Sequence, residues 1–262
     1  MYSLIKKMKS ICDKNKEDKL DENKQERKAG SKSIEIKKIF HSCFLIKYPD
    51  GVNVLTDPYY NNSSLGNLKI VEENKSKKED LPKIDLILVS HEHFDHFDKD
   101  VIQYLITRDQ AIVIGPQDVT KQLNIPKNHE RTVKIDDEFI VATVKIRVLS
   151  AQHHQSFYPV GYLLEKDGQV IYFAGDTNSL PNISKHVNIA IMPSGGVFTA
   201  DLFEFISMTR QLRCEHAIPM HYNTFDLIKI DTAKLRTRCD EKLKNCQIDI
   251  LKDNDKLFID LE

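Results

Sequence analysis

No apolar run in these 262 residues approaches the roughly 20 needed to span a bilayer, and the N-terminus lacks the apolar h-region and small-residue cleavage site of a secretory signal. The expected compartment is therefore the cytoplasm, with no transmembrane segment. Cysteine is scarce and unpatterned: Cys12, Cys43, Cys214, Cys239 and Cys246 make five, an odd number without a CxxC pair. That excludes a disulfide scaffold, and the thiols read as reduced, small apolar side chains. Charge of one sign is missing too. The net charge is -1 and no lysine or arginine stripe can be placed on a site face, so there is no strong nucleic-acid signal. There is no G-x-S-x-G elbow and no nucleophilic-cysteine context, which argues against covalent catalysis and leaves water as the attacker. No Gly/Ser-rich or Pro-rich linker divides the chain beyond residue 33, and no repeat period is evident.

What is present falls into two parts. Residues 1–33 form a charged N-terminal extension, because "DKNKEDKLDENKQERKAGSKS" cannot bury enough apolar surface to offset the entropy of ordering it. Ahead of that run, Leu4, Ile5, Met8, Ile11 and Cys12 fall at helical spacing among lysines. They suit a short amphipathic helix for a partner, a subunit or an anionic surface, or one that merely packs or frays. From residue 34 to 262 short β-rich runs alternate with helical ones. "IEIKKIF", "CFLIKY" and "VNVLTDP" read as successive strands, and "IDLILV" reads as a buried one after the polar loop "NNSSLGNLKIVEENKSKKEDLPK". "KDVIQYLITR" reads as a helix and "QAIVIGP" as a strand. Then come the strand runs "FIVATVKIRVLSA", "GYLLEK" and "QVIYFAGD". The last third alternates strand "VNIAIMP", helix "TADLFEFISMTRQL", strand "HAIPM", helix "DTAKLRTRCDEKLK", and strands "CQIDILK" and "KLFIDLE", giving one α/β domain with two strand-rich halves.

The chemistry is concentrated in "VSHEHFDHFD", where His91, His93, Asp95 and His96 form H-x-H-x-D-H on the loop that leaves a buried strand. In extended chain positions 91, 93 and 95 point one way, and a turn near Asp95 swings His96 to a second point nearby, so the four can serve two adjacent ions. A divalent cation makes such density stable: imidazole supplies a nitrogen lone pair and carboxylate a hard anionic oxygen, a mixture suited to zinc, iron or manganese. Four ligands do not complete two sites. Further His and Asp stand where later strands run out, in "SAQHHQS", "FAGDT" and "IPMHYNTF", the place where α/β folds put their chemistry. His129 and His186 lack such a context and read as surface histidines.

In that order, "SHEHFDHFD", Ala-x-His, "GDT" and "IPMHY-x-TF" resemble the metallo-β-lactamase superfamily of hydrolases. More narrowly, "FHSCFLI", "LTDP", "PSGGVFTA" and "IPMHYNTF" are similar to its branch of ascorbate-6-phosphate lactonase and related bacterial metal-dependent hydrolases. The resemblance implies a four-layer αββα sandwich with a dinuclear centre between the upper edges of two sheets. It implies that His91, His93 and His153 hold one ion, that Asp95, His96 and His221 hold the other, and that Asp176 bridges; the family's Ala-x-His spacing selects His153 over His154. Asp57 matches a family aspartate that accepts an N–H from a ligand histidine and fixes its tautomer, although a strand-end turn before Pro58 explains it equally. His41 and Tyr222 are candidates for the pocket wall, or for packing and support. Two divalent ions are implied, zinc by default with manganese or iron open.

Such ions, about 3.5–4 Å apart, lower the pKa of a shared water toward neutrality, and the resulting hydroxide attacks. Asp95 would orient it and shuttle a proton. The resemblance implies a small-molecule lactone or ester, with a phosphorylated sugar lactone as one form, and homo-oligomers among relatives. A phosphodiester is the alternative within the same machinery. A catalytically silent metal-binding or assembly protein is the alternative of another class, marked by ligand loss, and all seven ligand positions are filled.

Overall fold

The computed structural model describes residues 32–62, 66 and 68–261, so the amphipathic segment from Leu4 to Cys12 and nearly all of the expected extension lie outside the described residues. The first sheet holds β1 (Ser33–Phe40), β2 (Cys43–Lys47), β3 (Asn53–Thr56), β4 (Leu86–Leu88), β5 (Ile112–Pro116) and β6 (Glu130–Val133), together with β14 (Lys256–Asp260). The second holds β7 (Glu138–Val141), β8 (Val144–Ser150), β9 (Val160–Lys166), β10 (Gln169–Phe173), β11 (Ile189–Pro193), β12 (His216–Met220) and β13 (Gln247–Ile248). Their spatial orders are β14-β1-β2-β3-β4-β5-β6 and β13-β12-β11-β10-β9-β8-β7. In each sheet an antiparallel meander gives way to parallel strands: β3 to β6 in the first and β10 to β13 in the second. The helices are α1 (Lys99–Asp109), α2 (Gln117–Thr120), α3 (Leu202–Leu212) and α4 (Thr232–Lys242). This is the expected αββα sandwich, and no described helix is long and apolar enough to cross a membrane.

The unbroken apolar run around β4 follows from burial on both faces. Successive side chains point to opposite sides of a strand. Leu86 and Leu88 enter the core shared with Tyr162, Leu164 and Phe173 of the second sheet. Ile87 and Val89 instead pack with Val101, Ile102, Leu105 and Ile106, the apolar stripe of α1. Helix α1 starts where Asp98 accepts the N–H groups of Asp100 and Val101, each at 3.2 Å. It stops at Gln110, whose left-handed backbone (φ 60) caps it. Helix α3 begins with a full capping box at Asp201 and Glu204, and buries Phe205, Ile206 and Met208.

Several expectations needed correction. The run "FIVATVKIRVLSA" is not one strand but the hairpin β7–β8, turning through Ala142 (φ 44) and Thr143 (φ 67), both left-handed and without the Asn-Gly signal that marks such turns. In "CQIDILK" only Gln247 and Ile248 pair, and β6 was not anticipated because Glu130, Arg131 and Thr132 lack an apolar pattern. His129 is buried rather than on the surface, its Nδ1 3.2 Å from the Ala111 carbonyl oxygen. His186 is exposed beside Glu215, as expected.

Two features bring the ends of the sheets together under the histidine motif. The buried Tyr162 hydroxyl donates across the core to the Val89 carbonyl at 2.7 Å, just before Ser90. The Val160 N–H donates to the Ser90 carbonyl at 3.0 Å. Gly175 (φ +59) passes so close that a Cβ there would lie 2.7 Å from Ser90 Cβ and 2.8 Å from the Val160 carbonyl, so only glycine fits.

Candidate metal centre

Each motif loop leaves the C-terminal end of a strand, and the four ends converge. His91, His93, Asp95 and His96 follow β4, His153 follows β8, Asp176 follows β10 and His221 follows β12. His91, His93 and His153 form one group whose ligand atoms all lie within 4.8 Å of one another, and His41, Asp95, His96 and His221 form a second. Asp176 lies between them. Its Oδ2 is 3.8 Å from His91 Nε2, 3.8 Å from His153 Nε2 and 3.2 Å from His221 Nε2, while its Oδ1 is 3.3 Å from His96 Nε2. His153 is buried in the first group, whereas the neighbouring His154 is exposed.

The outer nitrogens of His91, His93, His96 and His41 are held by hydrogen bonds that turn the inner ones toward the centre, whereas Nδ1 of His153 and of His221 has no hydrogen-bond partner. Fully buried Asp57 accepts the Ser90 N–H at 2.7 Å, the Ser90 hydroxyl at 2.6 Å and the His96 Nδ1–H at 2.7 Å. The Ser90 hydroxyl, having given its proton to Asp57, accepts from His91 Nδ1 at 2.9 Å. One carboxylate thereby fixes the tautomers of two histidines, directly and through a serine. His93 Nε2 donates to the Gln155 carbonyl at 3.1 Å, which leaves its Nδ1 lone pair 3.2 Å from His153 Nε2. His41 Nδ1 lies 2.9 Å from Thr224 Oγ1, and its Nε2 is 3.3 Å from Asp95 Oδ2.

Charge follows from burial and from these contacts. Burial, then His221, pushes the His41 imidazole down to about 3. Burial, then His96, holds His91 well below its ordinary value, and burial also lowers His153. For His96 burial is outweighed by Asp176, Asp57 and Asp95, which hold it well above. Burial would raise Asp95 and Asp176, yet the surrounding imidazoles keep both well below the usual carboxylate range. Near neutrality the centre thus offers ionised carboxylates, with His41, His91 and His153 held neutral and His96 charged.

This arrangement fits metal ions. Buried polar atoms are nearly always paired, yet the Nε2 atoms of His41, His91 and His96 and Oδ1 of Asp176 have no hydrogen-bond partner. Nδ1 of His153 and of His221 is likewise buried without a partner. Ligands about 2.0–2.1 Å from a tetrahedral ion stand about 3.3 Å apart. That is the spacing seen at His93–His153, His96–Asp176 and His221–Asp176.

Other residues bear on the site. Tyr222 is buried, but its hydroxyl donates to the Leu251 carbonyl at 3.2 Å and Lys38 Nζ lies 4.6 Å from its ring, so these contacts run away from the cluster. Gly195, in "SGG", packs so tightly on the strand end that a Cβ would meet the His221 carbonyl oxygen at 2.0 Å. Sequence reasoning passed over Ser90, Thr224 and Glu92. The Glu92 carboxylate accepts the Ser156 hydroxyl at 2.8 Å and the Phe157 N–H at 3.1 Å, tying the loop after His153 to the motif. Its place between His91 and His93 was the available signal.

Two seven-stranded sheets in a sandwich, with His/Asp groups at the strand ends, define the metallo-β-lactamase fold. The family model described as "Beta-lactamase superfamily domain" matches residues 35–221. A UPF0173 protein of Pyrococcus abyssi is 33% identical over 189 residues, covering 71% of this chain and 81% of the relative. A UPF0173 metal-dependent hydrolase of Hyperthermus butylicus is 32% identical over 227 residues, covering 81% and 93%. Among solved structures, Igni18, a metallo hydrolase from Ignicoccus hospitalis, superposes with a TM-score of 0.73 at 23% identity, covering 88% of this chain and 100% of that one. The chain belongs to the β-lactamase superfamily, and within it to the UPF0173 metal-dependent hydrolase family. It is a metal-dependent hydrolase.

Proposed function

We propose that the protein hydrolyses a lactone or related ester at a dinuclear centre, as the ascorbate-6-phosphate lactonase-like branch would. The observation that carries this is the place of Asp176, within 3.8 Å of nitrogens from both histidine groups. His91, His93 and His153 would hold one divalent ion, and Asp95, His96 and His221 the other, with Asp176 shared; mixed imidazole and carboxylate donors favour zinc while admitting manganese or iron. When bound, such ions lower the pKa of a water and polarise the bond it attacks.

The chain's own groups do the rest. Asp95 Oδ2 is ionised and faces the Nε2 atoms of His41 at 3.3 Å, His221 at 3.8 Å and His96 at 4.0 Å, so it can take a proton from water and return it to the leaving alcohol. His41, anchored by Thr224, keeps that carboxylate from swinging away. A phosphorylated sugar lactone is one form such a substrate would take, and a phosphodiester is the alternative for the same machinery. Four cysteines stay free among the described residues, in keeping with a reducing cytoplasm.

The test pairs elemental analysis of wild type and Asp176→Ala with a panel of lactones, esters and bis-aryl phosphodiesters. About two ions per chain, falling in the variant, with chelator-sensitive lactone or ester turnover, is the expected outcome. A single retained ion would end the dinuclear reading, and turnover confined to phosphodiesters would end the lactone one.

A further inference from the structure

At the far ends of β12 and β13 from the metal centre, two cysteines meet that hydrolysis does not use. Cys214 lies between α3 and β12, and Cys246 lies between α4 and β13. The two strands are parallel neighbours with His216 opposite Gln247, and the Gln247 N–H donates to the Glu215 carbonyl at 2.7 Å, so the connections enter side by side. The sulfurs, 32 positions apart in sequence, are 3.7 Å apart in space. Cys214 is fully buried and Cys246 partly exposed, the usual division between a resolving thiol and an attacking one. Beside them opens a cavity of about 450 Å³ lined by both cysteines and by Arg210, Arg213, Lys242 and Lys244.

We infer that Cys214 and Cys246 form a reversible dithiol/disulfide site whose basic cavity receives a small disulfide bearing carboxylates. The thiolate of Cys246 attacks one sulfur of the incoming disulfide, making a mixed disulfide and releasing one small thiolate, which takes up a proton. Cys214, giving up its own proton, then attacks the Cys246 sulfur and expels the second small thiol. Two protein thiols are oxidised to one disulfide, and one small disulfide is reduced to two thiols.

The four basic side chains that line the cavity explain the choice of oxidant, because they attract carboxylates. The hydrogen bond between the sulfurs lowers the Cys246 thiol and raises that of Cys214. Closing 3.7 Å to a bond of about 2 Å requires a shift that the connection before β13 can make, since Lys244 and Asn245 are exposed and outside regular structure. Cys239, fully buried and pushed up to about 11 by that burial, is the bystander.

In the experiment, reduced full-length protein is incubated with glutathione disulfide and, in parallel, with the uncharged 2-hydroxyethyl disulfide, while intact mass and free thiols are followed. Wild type, with Cys12 followed separately in the peptide map, should lose two thiols and about two mass units without retaining an adduct on Cys246. Cys214→Ser should hold one glutathionyl group on Cys246, and Cys239→Ser should behave as wild type. Glutathione disulfide should react several-fold faster than the neutral reagent at low salt, an advantage that about 1 M salt removes. A wild type that keeps its thiols, stops at a stable mixed disulfide, or joins other cysteines in a peptide map would overturn the site. Equal rates for the two reagents would overturn the role given to the cavity.

Discussion

Replacing Asp57 by asparagine should weaken metal binding severely while leaving a folded protein. The amide keeps the shape, and its oxygen can still accept the Ser90 N–H, but its NH2 cannot accept the Ser90 hydroxyl or His96 Nδ1–H, now bonded at 2.6 and 2.7 Å. Each is a hydrogen bond to a charged group, worth about 1.5–3 kcal/mol; with local reorganisation the expected loss is about 2–4 kcal/mol in metal-free protein. Asp57→Ala leaves three buried donors without an acceptor and should cost about 3–5 kcal/mol. Because Asp57 orients His96 directly and His91 through Ser90, affinity should fall about 10- to 100-fold in Asp57→Asn. Urea unfolding with chelator present gives the first quantity, and competition against a chromogenic chelator the second. If Asp57→Asn loses stability but binds metal as tightly as wild type, Asp57 is a strand-end turn residue and the relay through Ser90 has no role in the site.

Metal-free protein should lose stability as pH falls below about 6.5, by up to about 1.4 kcal/mol per pH unit for each histidine held neutral. The folded values of His41, His91 and His153 are depressed, so the unfolded chain binds more protons there; His96, shifted upward, contributes fully below that pH and loses its contribution only as pH rises through its folded value. Equal urea midpoints at about pH 7 and pH 5.5 would contradict this. Gly195→Ala should shift His221, whose carbonyl the new Cβ would meet at 2.0 Å, and metal content should drop along with Tm; full loading would show that the strand end yields freely. Tyr162→Phe removes the bond to the Val89 carbonyl and should cost about 1–2 kcal/mol in urea unfolding, with metal content little changed.

The parts of the site that could be read in advance are those where a short run carries its own chemistry. His91, His93, Asp95 and His96 sit within one loop, and the run before them alternates Leu86 and Leu88 against Ile87 and Val89 across a strand buried on both faces. The capping residues Asp98, Asp201 and Asp231 are equally local, each accepting N–H groups from the turn that follows it. The rest depended on distance. His41 meets Thr224 across 183 positions, and nothing near either residue announces the pairing. The turn at Ala142 and Thr143 uses two left-handed residues with no glycine or asparagine, so tertiary context imposed what local propensity disfavours. Strand β14 pairs with β1, from Ser33 against Asp260 to Lys37 against Lys256, a closure of the chain ends that no local pattern encodes.

By itself the sequence marked which runs carry candidate metal ligands and which form strands, because ligand type and side-chain periodicity are properties of neighbours along the chain. The tertiary structure alone decided which nitrogen of each histidine faces inward, that Asp176 lies between two groups, that His41 joins Asp95, His96 and His221, and that Cys214 meets Cys246. Those outcomes rest on contacts between strand ends and connections far apart in sequence. Their geometry is set by the packing of two sheets, which local propensity does not specify.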